Sequence, residues 1–376
     1  MTEERFSLKD HLFNRERVQY LAGLFQASAP SFDAALFTDQ VMADLAPLEL
    51  KQRITLIAEV LERHLPREFD QAAGAITAAL PPPLDPTKTD DDFGSFIFAP
   101  LGEYVVRNGL SERHFATSIA LLKELTQRFS VEYAIRHFLN AFPAETMAEL
   151  AQWARDDHYH VRRLVSEGTR PQLPWGKKIS LSVMAPLPLL DVLHADGTRF
   201  VTRSVANHLN DIAKTNPALV IATLEGWHAL ERQQPEELNW MTRHALRTLI
   251  KQGEPNAMAL LGYSTDPAVV AGPVEMNARS VKIGESVEFE ITLKATEDAP
   301  LIVDFVIDLV KSNGSSAPKV YKLKQLEMQA GQSITLRKRH KFVKGATTFT
   351  YYPGAHSLHI QLNGKRVATG HFDLVD

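Results

Sequence analysis

Cysteine is absent from this chain of 376 residues. Its absence excludes disulfide bonds, thiolate nucleophiles, iron–sulfur clusters and zinc sites built on cysteine. Long hydrophobic runs are absent as well, since no stretch reaches the roughly 18 apolar residues that a membrane-spanning helix needs. The first ten residues, MTEERFSLKD, lack the apolar core of a signal peptide. We therefore expect a soluble, cytoplasmic protein that does not contact a membrane.

The chain also lacks a large excess of either charge, because 41 lysines and arginines face 45 acidic residues for a net charge of −4. This balance excludes a histone-like polycation that coats nucleic acid indiscriminately. With 44% hydrophobic and 23% charged residues, the composition is that of a globular protein. The length predicts two or three domains.

The familiar catalytic motifs are missing too. The sequence has no P-loop, no GxGxxG opening a helix, no GxSxG and no HExxH, which disfavours nucleotide hydrolases, dehydrogenases and serine hydrolases. His158 and His160 lie beside Asp156 and Asp157, but positions two apart diverge on a helix and no third ligand stands at usable spacing. We predict no metal site, and we expect Asp156 or Asp157 to cap the N-terminus of the helix.

Helical periodicity dominates up to about residue 265. From about Pro47 to His64, apolar residues recur on one helical stripe, with Pro47 suited to the first helical position. Similar amphipathic segments follow at 111–127, 131–141, 144–154, 199–214, 217–230 and 236–252. Successive amphipathic helices with short connections predict stacked helix pairs, an all-α solenoid domain over 1–265.

The pattern changes to that of β-strands after residue 267. Residues 286–294, 319–324, 332–341, 357–362 and 367–374 alternate with period two, and 301–310 is nearly continuously apolar. Glycine and Asn-Gly turns separate these segments. About seven short strands in some 110 residues predict an immunoglobulin-like β-sandwich over 268–376.

The densest polar pattern lies at 153–178. Val161, Leu164 and Val165 predict one buried face of a helix that Gly168 ends in a left-handed cap. Arg163 and Glu167 are four residues apart on the side expected to be exposed, with Arg170 one turn later, so that Glu167 stays ionised near neutral pH. The spacing alone favours the alternative of a surface salt-bridge ladder. Trp175 is either a core residue, which its hydrophobicity favours, or an exposed aromatic platform.

Two further helices carry polar rows. Asn207 and Asp211 share one side of the helix at 203–214, with Ser204 and Lys214 nearby, and either line a site or tie adjacent repeats together. In the helix at 240–253, Arg243, Arg247 and Lys251 recur every four residues behind Trp240. Such a row suits a phosphate backbone, and a solvated face is the alternative.

A third basic segment lies in the sandwich, at residues 336–345. It includes Arg337, Arg339 and Lys341. Such a cluster on a strand edge suits an anionic partner, and a solvated strand exterior is the alternative.

Four long segments, in order, resemble the AlkC branch of the DNA alkylation-repair glycosylases. They are LELKQRITLIAEVLERHLP (48–66), VRRLVSEGTRPQLPW (161–175), RSVANHLNDIAKTNP (203–217) and TRHALRTLIKQGEPNAMALLGY (242–263). The C-terminal region resembles the immunoglobulin-like tail of some AlkC members. The resemblance implies a solenoid of HEAT-like repeats that holds a DNA duplex and removes alkylated bases without a pocket for a flipped base.

The resemblance also implies site residues. By motif match the catalytic residues are Glu167 and Trp175, with Glu132 and Asp211 as further members. It makes Arg163, Arg170 and Arg247 candidate DNA contacts. The other basic residues that we expect to contact DNA are Arg162, Arg203, Lys214, Arg243, Lys251, Arg337, Arg339 and Lys341.

The implied substrates are small cationic lesions in double-stranded DNA, 3-methyladenine first, then 3-methylcytosine and 1-methyladenine. The lesion's own charge makes the base a good leaving group, so that no metal or organic cofactor is called for. We expect a monomer that needs no obligate protein partner and that joins the bacterial nucleoid during repair. The competing hypothesis is a non-catalytic HEAT-repeat scaffold that binds DNA or protein.

Overall fold

The computed structural model of the chain describes residues 7–88, 90, 93–345 and 350–376. Within these ranges a long series of α-helices precedes a set of β-strands, which confirms the predicted fold class. The helices are α1 (Leu8–Leu12), α2 (Arg15–Ser28), α3 (Ala34–Leu45), α4 (Leu50–His64), α5 (Phe69–Ala79), α6 (Ala99–Gly109), α7 (Phe115–Thr126), α8 (Glu132–Ala141), α9 (Pro143–Trp153), α10 (Tyr159–Gly168), α11 (Leu187–Leu193), α12 (Arg199–Ala213), α13 (Pro217–Leu230), α14 (Pro235–Ala245), α15 (Arg247–Gln252) and α16 (Pro255–Leu260). A short 3-10 helix, Phe96–Phe98, leads into α6.

The helices pack mainly against near neighbours in the sequence, such as α2 against α3, α8 against α9 and α10 against α11. This is the packing that helical repeats require, because no single pair can bury its own apolar face. The predicted start of α4 at Pro47 is wrong. Glu49 is the N-cap instead, and it exchanges capping-box hydrogen bonds with Gln52.

Two further helix predictions need correction. The continuous helix predicted over 236–252 is two helices, α14 and α15, which separate at Leu246. Arg243 therefore lies on a different helix from Arg247 and Lys251. Gly168, the last residue of α10, does not take the left-handed conformation, and the reason for glycine at this position is steric. A Cβ at this position would lie 2.6 Å from Ile135 Cγ2 of α8, which only glycine avoids.

The strands form two sheets. They are β1 (Val269–Ala271), β2 (Glu275–Met276), β3 (Ser280–Lys282), β4 (Ser286–Ala295), β5 (Ala299–Val310), β6 (Ser316–Met328), β7 (Ser333–Lys341), β8 (Gly354–Leu362) and β9 (Lys365–Val375). In one sheet β4 pairs with β1 and β2 on one side and with β7 on the other. The second sheet has the order β3-β9-β8-β5-β6. Apolar side chains from both sheets, including Phe289 and Phe305, form the core between them.

The predicted strands match β4 to β9, and the three short strands β1 to β3 were not predicted. The Asn363-Gly364 turn joins β8 to β9 as predicted, and both residues have positive φ, 44° and 88°. This is the geometry of a two-residue hairpin turn that matches the twist of the strands.

The described residues form two compact units. One contains the chain up to Ile212 together with Trp227–His244, and the other contains Ala213–Gly226 and Ala245–Asp376. In the second unit α16 is tied to the sandwich, because Met258, Tyr263 and Ile302 share a small core and Asn363 Nδ2 donates to Ser264 O at 2.8 Å. The predicted domain limits, 1–265 and 268–376, stay a prediction. Among the described residues, no helix is both long enough and apolar enough to cross a bilayer.

Candidate active site

Helix α10 carries the central charged residues of the site. Its N-cap is His158, whose Nδ1 accepts a hydrogen bond from His160 N at 3.2 Å. The predicted cap at Asp156 or Asp157 is therefore wrong, and Asp156 instead accepts a hydrogen bond from the backbone N of His158 at 2.9 Å. Arg163 and Glu167, one turn apart, project from the same side of the helix.

The predicted exposure of this face is wrong. The Glu167 side chain is 7% exposed and that of Arg163 is 14% exposed, although they lie opposite the apolar residues Val161, Leu164 and Val165 that the sequence correctly places in the core. The helix is buried on both sides because Ser130 and Glu132 cover one end of this face and Ser204 and Asp211 the other.

The charged groups alternate in sign along a continuous chain, which we call the carboxylate cluster: Glu132, Arg163, Glu167, Arg170 and Asp211. Arg163 Nη1 donates to Glu132 Oε2 at 2.8 Å, and its Nη2 lies 3.6 Å from Glu167 Oε2. Arg170 Nη1 donates to Glu167 Oε1 at 2.6 Å, and its Nε donates to Asp211 Oδ2 at 3.0 Å. The structure therefore brings together three of the four predicted catalytic residues, with two arginines between them.

Glu167 is held in its charged form. Burial would raise the pKa of its carboxyl, but Arg163, Arg170 and a hydrogen bond from Ser204 overcome this effect and keep the pKa below its usual range. Ser204 Oγ donates to Glu167 Oε2 at 2.6 Å and lies 3.0 Å from Ser166 Oγ. Glu167 is thus a fixed negative charge at neutral pH, as the sequence predicts.

The arginines of the cluster are similarly fixed. Burial would lower the pKa of Arg163, but Glu132 and Glu167 raise it above its usual value. The Arg163 guanidinium also lies over the Phe200 ring, 4.8 Å from its centroid. Arg163 and Arg170 are thus bound to carboxylates in this structure, and their predicted contact with DNA stays a prediction.

The loop after α10 carries Trp175. Side chains of α8 hold this loop by donating hydrogen bonds to its backbone carbonyls. Arg136, 1% exposed, donates to Gly168 O at 2.9 Å and to Arg170 O at 2.8 Å, and also donates to Lys177 O. Asn140 Nδ2 donates to Lys178 O at 2.9 Å. Arg136 was not predicted as a site residue, although its position one turn after Glu132 on the same helix was a usable signal.

Trp175 is exposed, and its expected place in the core is wrong. Its side chain lies at the surface, with 67% of the residue exposed, and its φ is +61°. A bulky residue in this left-handed region costs energy and persists only when its surroundings hold it. Lys51 Nζ donates to Trp175 O, and Tyr133 Oη donates to Pro174 O at 3.4 Å. Because burial raises the pKa of Tyr133 to about 12, its hydroxyl remains a donor.

The other predicted DNA contacts of the helical region lie outside the carboxylate cluster. Arg162 pairs with Asp196 and Arg203 with Asp90. Arg243, Lys214 and Lys251 are exposed, and Arg247 is half-buried.

In the sandwich, β7 is an edge strand, as predicted, and carries the three predicted basic residues. Arg337 and Arg339 pair with Glu290 and Glu288 of β4, and Lys341 is exposed. A role for these residues in DNA binding stays a prediction.

The fold and the site define the class of this protein: a two-part chain in which a helical-repeat region with buried carboxylates precedes an immunoglobulin-like sandwich. The family profile described as the C-terminal Ig-like domain of the uncharacterised protein YhaZ matches residues 271–376. YhaZ of Bacillus subtilis (strain 168) is 31% identical over 358 residues, which cover 94% of this chain and 96% of YhaZ. The structure is similar to that of the alkylpurine DNA glycosylase AlkC of Pseudomonas fluorescens bound to DNA containing an abasic-site analogue. The TM-score is 0.87 and the identity 35%, covering 99% of this chain and 100% of AlkC. The chain belongs to the AlkC and YhaZ family.

Proposed function

We propose that this protein is a DNA glycosylase that hydrolyses the N-glycosidic bond of alkylated bases in duplex DNA, as a first step of base excision repair. The observation that carries the proposal is the carboxylate cluster in a chain similar to AlkC over its whole length. A protein that only bound DNA would have no use for three clustered carboxylates near its binding surface, because carboxylates repel phosphate.

The proposed substrates are bases whose alkylation leaves a positive charge, with 3-methyladenine first and 3-methylcytosine and 1-methyladenine as further candidates. When the C1′–N bond of such a lesion breaks, its electron pair goes to the base and neutralises it. The sugar is left as an oxocarbenium-like cation, to which water adds at C1′ while losing a proton. The remaining tasks are to stabilise the cation and accept the proton, and carboxylates do both. This chemistry calls for neither a metal nor an organic cofactor.

We assign different tasks to the carboxylates by their accessibility. The Glu132 side chain is 16% exposed, against 7% for Glu167 and 3% for Asp211. Both hydrogen bonds to Glu132, from Ser130 and Arg163, end on Oε2. We propose that Glu132 meets the sugar or the attacking water, and that Glu167 and Asp211 supply fixed negative charge behind it. Trp175, at the surface, would add its π-face to the stabilisation of the cation.

The DNA contacts are proposed to follow the exposed basic residues, with β7 as one candidate surface. Arg337, Arg339 and Lys341 alternate along β7 and therefore project to one side of the sheet. Replacing all three by glutamine should weaken binding and reduce its salt dependence. An unchanged salt dependence would remove β7 from the proposed interface.

The function is tested by incubating the full-length protein with duplex DNA that contains 3-methyladenine and measuring the free base by mass spectrometry. Release of free 3-methyladenine, with an abasic site left in the strand, is the expected result. Binding of the duplex without release of the base would instead support the non-catalytic scaffold.

A further inference from the structure

A cavity of about 350 Å³ lies beside the carboxylate cluster, between α4, α6, α8 and the loop that carries Trp175. Its walls are mainly apolar and aromatic and include Ile54, Phe96, Val131, Tyr133 and Trp175. The volume falls near the lower end of the range of about 300–1,000 Å³ that is usual for small-molecule sites. A ligand of the size of a nucleobase or nucleoside therefore suits it better than a larger metabolite.

One residue of the cavity wall contacts the carboxylate cluster. Ser130 lines the cavity, and its hydroxyl donates to Glu132 Oε2 at 2.8 Å. Tyr133 and Trp175 line it as well, and the tyrosine hydroxyl holds the loop by its bond to Pro174 O. Ser130 therefore places the aromatic walls of the cavity next to Glu132, the carboxylate proposed to meet the sugar.

Two polar side chains of the cavity, beside the lysines Lys51 and Lys177, suit an uncharged ring with nitrogen atoms. His137 and Glu103 both line the cavity. Burial, with a smaller effect of Lys177, lowers the pKa of His137, so its imidazole is neutral at neutral pH. Burial raises the pKa of Glu103. A neutral imidazole and a partly desolvated carboxyl offer hydrogen bonds to a heterocycle, and the aromatic walls offer stacking.

We propose that this cavity is a product site, which binds the free alkylated purine after its release from DNA. The inference rests on the proposed glycosylase function, because that reaction generates a planar, neutral purine next to Ser130. The lesion is cationic while attached to the sugar and becomes neutral on leaving. A largely apolar cavity therefore favours the released base over the attached one.

Direct binding of free 3-methyladenine to the full-length protein tests the proposal. Isothermal titration calorimetry should show saturable binding to wild type. Thr55→Phe fills the cavity from α4, and Ala99→Phe fills it from α6. Each is expected to weaken binding by about tenfold or more, the effect of a steric change in an apolar pocket. Thr77→Phe, at an exposed position of α5 outside the cavity, is the matched control and should bind as wild type does.

Excision measured on the same preparations separates this proposal from the proposed function. Wild type that releases 3-methyladenine from DNA but does not bind the free base would overturn the product site and leave the function standing. Unchanged binding by both folded phenylalanine variants, checked by circular dichroism, would also overturn it. Free-base binding lost in these variants and kept in Thr77→Phe supports the site, whether or not excision occurs. Competitive inhibition of excision by added 3-methyladenine would support it further.

Discussion

Ser204 of α12 donates a 2.6 Å hydrogen bond to Oε2 of Glu167 on α10, and both residues are almost completely buried. This bond joins two helices through residues that are 37 positions apart in the sequence. It also contributes to keeping Glu167 ionised inside the protein, where burial alone would favour the neutral carboxyl. The charge state of the cluster therefore depends on packing between helices as well as on the two arginines.

Replacement of Ser204 by alanine should shift the pH dependence of excision. The hydrogen bond from Ser204 favours the ionised carboxylate, so its loss raises the pKa of Glu167. The ionised form of Glu167 is the one proposed to act, so activity is lost as pH falls through its pKa. The acidic limb of the pH–rate profile of Ser204→Ala should therefore lie at higher pH than that of wild type. A lower rate with an unmoved acidic limb would contradict this role for Ser204.

Trp175 offers a test that separates strain from function. Trp175→Ala and Trp175→Gly both remove the ring, so both should reduce the single-turnover excision rate by a similar factor. Only glycine relieves the positive φ of +61°, and it should make the glycine variant more stable than the alanine variant by about 1 kcal/mol. Denaturant unfolding of the two variants measures the difference. If alanine is the more stable of the two, the backbone at this position is not strained.

Arg136 should be essential for stability as well as for activity. Arg136→Lys keeps the charge, but an ammonium cannot reproduce the planar guanidinium that donates to three carbonyls. The expected loss is about 3 kcal/mol, from buried carbonyls left without a donor. Arg155→Lys is the control, because Arg155 is exposed and donates to Ala151 O at 3.3 Å. Equal stability of the two variants in urea would show that the loop does not depend on Arg136.

Asp90 should compete with DNA for Arg203. The Asp90 carboxylate accepts hydrogen bonds from both Nη atoms of Arg203, an arrangement that a phosphate could replace. Asp90→Asn should raise affinity for duplex DNA by about two- to fivefold, the range for a partly exposed ion pair. The gain should vanish in an Arg203→Ala background. Asp85→Asn, in the same loop but bonded to Thr87, is the control. A gain that persists without Arg203 would show that only net charge matters.

The sequence predicts the order of helices and strands because each rests on local periodicity. The stripe of Val161, Leu164 and Val165 is visible within α10 alone, and the Asn363-Gly364 turn is set by residues that tolerate positive φ. The break at Leu246 was not predicted, since the amphipathic pattern continues through it.

The site was only partly predictable. The residue types at Glu132, Glu167 and Asp211 were identified through the family resemblance, and the structure brings them together. The burial of the α10 face that carries Arg163 and Glu167 was not predicted, because it comes from Glu132 of α8 and Ser204 of α12, each more than 30 residues away from its partner in the chain. Trp175 was misplaced because hydrophobicity favours the core, whereas its carbonyl contacts with Lys51 and the geometry of its loop hold it at the surface.

The most direct test of the account is the single-turnover rate of 3-methyladenine release from duplex DNA by wild type, Glu132→Gln and Glu167→Gln. Each substitution keeps the size of the side chain and removes a negative charge, so each tests the charge itself. Wild type should release the base. Both variants should still bind DNA but be slower by about 100-fold, the scale of one electrostatic contact in a transition state. Release at the wild-type rate by both folded variants would contradict the proposal that the carboxylate cluster performs the chemistry.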